Sequence, residues 1–317
     1  MSTKTENYDT LIAGQGAAAF AAGLYAARYQ MKSIIIGETF GGETATGGLI
    51  ENYPGYADID GFDLMMKFRE QVASYDVPIL DDKVTTVTKN ANDFKIETES
   101  GKMYYANSVI LGIGRERRKL GLQHEDEWTG KGVSFCSTCD APLHRDNIVA
   151  IVGGGNAAIE GAVLLSKYAT KVYLIYRRSE FTRPEPVNIK LLNESKNIIQ
   201  LLNTNVTSLI GEDGLSQISI DEPHNNATNL DVDGLFIEIG ADPRIEIPKQ
   251  LNIKLNEKNE VIVNNEMETN VEGVLAAGDL TDASGDLKQT ITAAAQGAIA
   301  AKAAYAYVSN KKVEAQS

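Results

Sequence analysis

The same strand, glycine turn, helix, strand pattern is written twice in this chain, and that duplication limits its possible folds more than any other feature. The first copy runs Thr10-Leu11-Ile12-Ala13, then Gly14-Gln15-Gly16-Ala17-Ala18-Ala19, an alanine-rich helical stretch to Gln30, and the apolar run Ile34-Ile35-Ile36. The second, with its first glycine 139 residues after Gly14, runs Ile148 to Val152, then Gly153-Gly154-Gly155-Asn156-Ala157-Ala158, a helix to about Tyr168, and a strand from Lys171 to Tyr176. Glycines at these places let backbone amides approach a pyrophosphate, and the helix that follows points its partial positive charge at the same anion. Ala19 and Ala158 stand at the third small position, where helix and strand must pack closely. One such turn is weak evidence, because tight turns before helices also select glycine. Two copies in matching contexts predict two dinucleotide sites and an α/β fold of two Rossmann-like (three-layer ββα) domains.

The ends of the second strands separate the two sites. Glu38 lies 24 residues beyond Gly14, at a distance where a carboxylate can accept hydrogen bonds from ribose hydroxyls. In the second copy Arg177 and Arg178 fall where that acid would stand, with Arg183 close behind. Guanidinium groups suit a ribose 2'-phosphate, so the second site reads as NADPH, the alternative being a solvated basic patch. Segments 84–87, 94–98 and 103–105 alternate as an antiparallel sheet would, and 108–114 reads as a buried strand ending in glycines. A matching strand end at 234–240 brackets the second unit. The second domain, 118–243, is therefore expected as an insertion into the first, 1–117 plus 244–317.

Cys136 and Cys139 are the only two cysteines among 317 residues and are separated by two residues, with Asp140 next. Two thiols so spaced can close a small disulfide ring, and a neighbouring acid can move the proton that exchange requires. A zinc site needs about four ligands, and His124, His144 and His224 do not stand at ligand spacing, so no metal is expected. Inert buried cysteines remain the competing reading. The 43 acidic against 30 basic residues give a formal charge of −13, which opposes nucleic acid or an anionic membrane as partner. Residues 11–29 are nearly uncharged but alanine-rich and broken by glycine, as in a buried helix rather than a membrane span. The polar start lacks a secretory signal, so a cytoplasmic location is expected.

Taken in order, GQGAAA at Gly14, GGE at Gly41, ENYPG at Glu51, GIG at Gly112, CSTCD at Cys136, GGGNAA at Gly153, YRR at Tyr176 and AAGD at Ala276 resemble the low-molecular-weight thioredoxin reductases over essentially the whole length. The resemblance implies a homodimeric flavoenzyme with an FAD domain made from both ends of the chain and an NADPH domain between them that carries the cysteines. It implies electron flow from NADPH to FAD, to the disulfide, and on to thioredoxin or a related small dithiol protein. Cys139 would face the flavin, Cys136 would exchange with the partner disulfide, and Asp140 would be the acid-base residue. The implied FAD contacts are Gly14, Gly16, Ala17, Glu38, Gly41, Gly42, Glu43, Asn52, Val84, Gly112, Gly278, Asp279, Lys288, Gln289 and Thr290. Those for NADPH are Gly153, Gly155, Asn156, Ala157, Ala158, Arg177, Arg178 and Arg183. Rotation of the middle domain is implied too, with hinges near 115–120 and 239–244.

The chain departs from the family pattern in several places. Glu43 stands for glutamine, Tyr176 for histidine before the two arginines, Thr182 for a third arginine now displaced to Arg183, Ala241 for histidine, and Lys288 for arginine. Ile36 occupies the place where many relatives keep the ribose acid. Three other functions compete: a dithiol oxidase that passes electrons through FAD to oxygen, a ferredoxin-linked thioredoxin reductase, and a nucleotide sensor without turnover. The arginine pair argues against the first two, and the cysteines with Asp140 against the third.

Overall fold

The computed structural model describes residues 7–46, 49–182, 184–285 and 287–314. The chain divides into two compact units, Met1–Glu116 with Pro243–Ser317, and Arg117–Asp242.

In the first unit a seven-stranded sheet runs in the order Ile79–Asp81, Ser33–Gly37, Asn7–Ala13, Met103–Leu111, Phe94–Thr98, Val84–Lys89, with Val274–Ala276 also paired to Met103–Leu111. Ile12 is in register with Ile35 on one side and Ile110 on the other. All three turn to one face, where Phe20, Met65, Ala300 and Ala304 cover them. Their neighbours Leu11, Ile34, Ile36, Val109 and Leu111 turn to the opposite face, against Val84, Phe94, Ile96 and Val261. Burying a side chain of this size stabilises a fold by about 1.5–3 kcal/mol, so apolar residues on both faces of the central strands hold this sheet inside two layers.

Segments 103–105 and 108–114, read from sequence as separate, are joined in one strand, Met103–Leu111, which stops before Gly112. Its first half pairs antiparallel with Phe94–Thr98 and its second half parallel with Asn7–Ala13, which is why one strand carries both an alternating and a continuous apolar pattern. The helix Ala17–Arg28 lies against the long C-terminal helix Thr290–Glu314. Their backbones nearly touch: a methyl group on Gly297 would fall 2.0 Å from the Ala18 carbonyl oxygen.

The second unit has a five-stranded parallel sheet in the order Val133–Ser134, Gly234–Ile237, Ile148–Val152, Lys171–Tyr176, Ile198–Leu202. A separate antiparallel sheet, Val206–Ile210, Gln217–His224 and Ala227–Asp231, packs Ile218, Ile220 and Leu230 onto Val152 and Ile175. The ends of this unit are tied together, since the Arg118 amide donates to Gly240 O at 2.9 Å and its guanidinium to Asp242 Oδ1 at 2.6 and 2.8 Å. Among the described residues no helix is long and apolar enough to cross a membrane.

Candidate active site and cofactor cradles

The first glycine loop sits at the carboxyl end of Asn7–Ala13. Gly14 has φ +117°, and a methyl group there would lie 2.2 Å from the Gly112 carbonyl oxygen, so only glycine fits. Gly16 caps the helix Ala17–Arg28 with no side-chain hydrogen bond, that helix has no acid in its first turn, and a methyl group on Gly16 would meet nothing within 4 Å. Free helix-end amides facing open space are what a pyrophosphate needs, and the residues fit FAD on that ground.

Several of the expected contacts lie on or beside this loop in the same unit. Gly41 donates to Gln15 O at 2.9 Å, which brings Gly42 over Gly16, with Glu43 next in the chain. Gly278 lies against Ala18 and donates to Gln296 Oε1 at 2.7 Å. Asn52 Nδ2 donates to Gln289 Oε1 at 3.1 Å, and the Thr44 and Thr290 hydroxyls are 3.0 Å apart. Gly112 packs against Ala19.

Asp279 follows at once and is half-buried. Burial above all pushes its carboxyl up, Arg115 and Lys288 pull it back, and Glu43 and Glu260 push with burial. Arg115 donates to Asp279 O at 3.0 Å and to Glu260 Oε1 at 2.7 Å, and Lys288 pairs with the same Glu260 oxygen at 3.0 Å. Glu260 was not legible as part of this group, since nothing in its local sequence marks it.

Two expected contacts have other partners. Glu38 accepts from Arg244 at 2.7 Å and pairs with Lys83 at 3.2 Å. Burial works to raise its carboxyl, but these two cations outweigh burial and hold it below the usual range. Val84 is buried in the apolar core, in register with Thr98.

In the second unit Gly155 caps the helix Asn156–Leu165 in the same uncapped way, with nothing within 4 Å of a methyl group placed on it. Ala157 follows in that helix's first turn, and Ala158 packs in the core. Arg177 and Arg178 are exposed just past the end of Lys171–Tyr176, and among the described residues neither forms an ion pair. This set fits a phosphorylated dinucleotide. Arg183 lies outside the described residues. Asn156 Oδ1 accepts from the amide of Glu185, the residue just before the helix Pro186–Glu194, at 2.7 Å. The Tyr176 ring covers Gly154, its hydroxyl bonds to Thr182, and the Thr182 amide donates to Gly154 O at 2.8 Å. The residue that replaces the family's third arginine thus fastens the loop after the arginine pair to the glycine loop.

Cys136 and Cys139 are joined as a disulfide with Cα atoms 5.3 Å apart. The strand Val133–Ser134 delivers the pair: Ser134 Oγ accepts from the Cys136 amide at 3.0 Å, and the turn Ser137–Asp140 follows. Cys136 Sγ accepts from the Cys139 amide at 3.1 Å, and Asp140 N donates to Cys136 O at 3.2 Å. Cys139 is exposed and Cys136 half-buried. Four residues past Asp140 stands His144, whose imidazole is pushed down by burial against the opposing charges of Asp140 and Asp233. An accessible disulfide with an acid beside it can exchange with an incoming thiolate.

The pyridine nucleotide-disulphide oxidoreductase family matches residues 8–297. A thioredoxin reductase of Helicobacter pylori is 37% identical over 314 residues, covering 95% of this chain and 98% of that protein. The crystal structure of thioredoxin reductase from Lactococcus lactis superimposes with a TM-score of 0.87 at 30% identity, covering 96% of this chain and 99% of that one. That from T. acidophilum gives 0.84 at 32% identity, covering 95% and 98%. With two uncapped glycine loops and a disulfide closed within one short turn, this chain belongs to the pyridine nucleotide-disulphide oxidoreductase family.

Proposed function

We propose that the protein is a thioredoxin-disulfide reductase that passes electrons from NADPH through FAD and the Cys136–Cys139 disulfide to thioredoxin or a related small dithiol protein. The observation that carries this reading is an accessible disulfide in a chain with two separate dinucleotide cradles, only one of which ends in paired arginines. FAD supplies the means of turning a two-electron donor into a disulfide reductant. Gly14, Gly16 and Ala17 hold its pyrophosphate, while Asn52, Gln289, Thr290 and Asp279 form the polar wall beyond. Gly153, Gly155 and Ala157 receive the NADPH pyrophosphate, and Arg177 and Arg178 its 2'-phosphate. Cleaving the disulfide with two electrons leaves sulfur anions, and Asp140 delivers the proton that lets one depart as a thiol. Cys136 then attacks the partner's disulfide, and Cys139 resolves the mixed disulfide.

A homodimer and a cytoplasmic location belong to the same reading. The first rests on the resemblance, and the second on the reducing compartment in which such a reductase works.

Anaerobic titration of the yellow protein with NADPH, and separately with NADH, tests this function. NADPH should bleach the flavin and support thioredoxin turnover; bleaching without turnover on any dithiol protein would sink it. Asp140→Asn should slow turnover by ~10²-fold or more, the usual worth of a positioned acid, and leave flavin reduction intact. Failure of flavin reduction in a correctly folded variant would show that Asp140 has another role.

A further inference from the structure

Between the two cysteines lies Ser137, only 6% exposed and pressed against the helix Asn156–Leu165. A methyl group on Gly161 of that helix would meet Ser137 Oγ at 2.7 Å. From the other side Glu238 reaches the same residue, and its Oε1 accepts from Ser137 Oγ at 3.2 Å and from Ser137 N at 3.4 Å. Glu238 is itself fixed by the sheet. It follows Gly234–Ile237, its amide donates to Val152 O at 2.9 Å, and its carbonyl oxygen would lie 2.2 Å from a methyl group on Gly153. One residue therefore touches the start of the second glycine loop with its backbone and the centre of the redox turn with its carboxylate.

We propose that Glu238 is a positioning residue for the redox turn, holding it through Ser137 and keeping a negative charge beside the cysteine pair that restrains thiolate formation. Reduction breaks one S–S bond, adds two electrons, and leaves two sulfurs that take up protons or remain anionic. A fixed carboxylate disfavours the anionic outcome by like-charge repulsion. Among the described residues Asp140 adjoins the pair and acts with Asp233 on His144, further along the same stretch, and Glu160, beside Gly161 on the helix Asn156–Leu165, accepts from Asn188 Nδ2 at 2.7 Å. The helix Asn156–Leu165 offers Gly161 at this point and the strand Ile148–Val152 offers Ile151, neither of which titrates.

The proposal rests on Cys136 and Cys139 being the redox pair. Its test, however, needs neither NADPH nor thioredoxin, so a failed electron donor would not be mistaken for a failed role of Glu238. The full-length flavoprotein is reduced with dithiothreitol, and iodoacetamide labelling of each cysteine is followed against pH by mass spectrometry. Glu238→Gln keeps the shape and removes the charge. It should lower the apparent midpoint of the pair by about one pH unit, raising the thiolate fraction below that midpoint about tenfold. An unchanged midpoint in folded Glu238→Gln overturns the proposal. Ser137→Ala keeps the charge and loses one hold on the turn, so its midpoint should not fall. A fall in Ser137→Ala would show that packing alone governs the thiols, and would overturn the role of charge even if Glu238→Gln did not fold.

Discussion

Replacing either Cys136 or Cys139 with serine should abolish thioredoxin reduction down to the background rate while the protein stays yellow. Both cysteines lie in Arg117–Asp242, whereas the glycine loop at Gly14 and the groups that converge on it lie in the other unit. Serine has no sulfur to exchange, so no disulfide forms and no electrons can leave by that route. NADPH should still bleach the flavin in both variants, because its cradle around Gly153 and Gly155 is untouched. Turnover with thioredoxin in either variant would remove the disulfide from the pathway.

The second large effect concerns the coenzyme. Charge-assisted hydrogen bonds from Arg177 and Arg178 to a 2'-phosphate are worth roughly 1.5–3 kcal/mol each, and NADH offers only a hydroxyl there. The wild type should therefore favour NADPH by at least about tenfold. Changing both arginines to alanine should raise KM for NADPH by a similar factor or more and leave that for NADH nearly unchanged. The clasp of Tyr176 and Thr182 on Gly154 gives this expectation a structural basis, because it anchors the loop after the arginines without a third guanidinium at position 182. Equal use of both coenzymes, or reduction by neither, would mean that this chain takes electrons from a different donor.

Much of this was legible in the sequence for definite reasons. A glycine turn between an apolar strand and a helix is a local pattern, so both loops could be read directly, and two lone cysteines at redox spacing stand out by scarcity. What escaped depends on residues far apart in the chain. Glu238 meets Ser137 from 101 positions away, and Arg115 meets Glu260 across 145, distances at which no local pattern exists. The bond that Asn156 Oδ1 accepts from the Glu185 amide, 29 positions on, is likewise invisible in the local pattern. The strand Ala227–Asp231 went unread because it is mostly exposed and carries one buried apolar residue, Leu230, which is too little alternation to notice.

The tie between Arg118 and the segment Gly240–Asp242 bears on how the chain can fold as it is synthesised. The first unit cannot close its sheet early, because Val109 pairs with Val274 and the helix against Ala18 comes last of all. The unit Arg117–Asp242 is continuous and can form as soon as it has emerged. Once formed, it holds its own two ends together, which turns a long flexible loop into a short bridge and removes much of the entropy cost of bringing the two halves of the first unit into register.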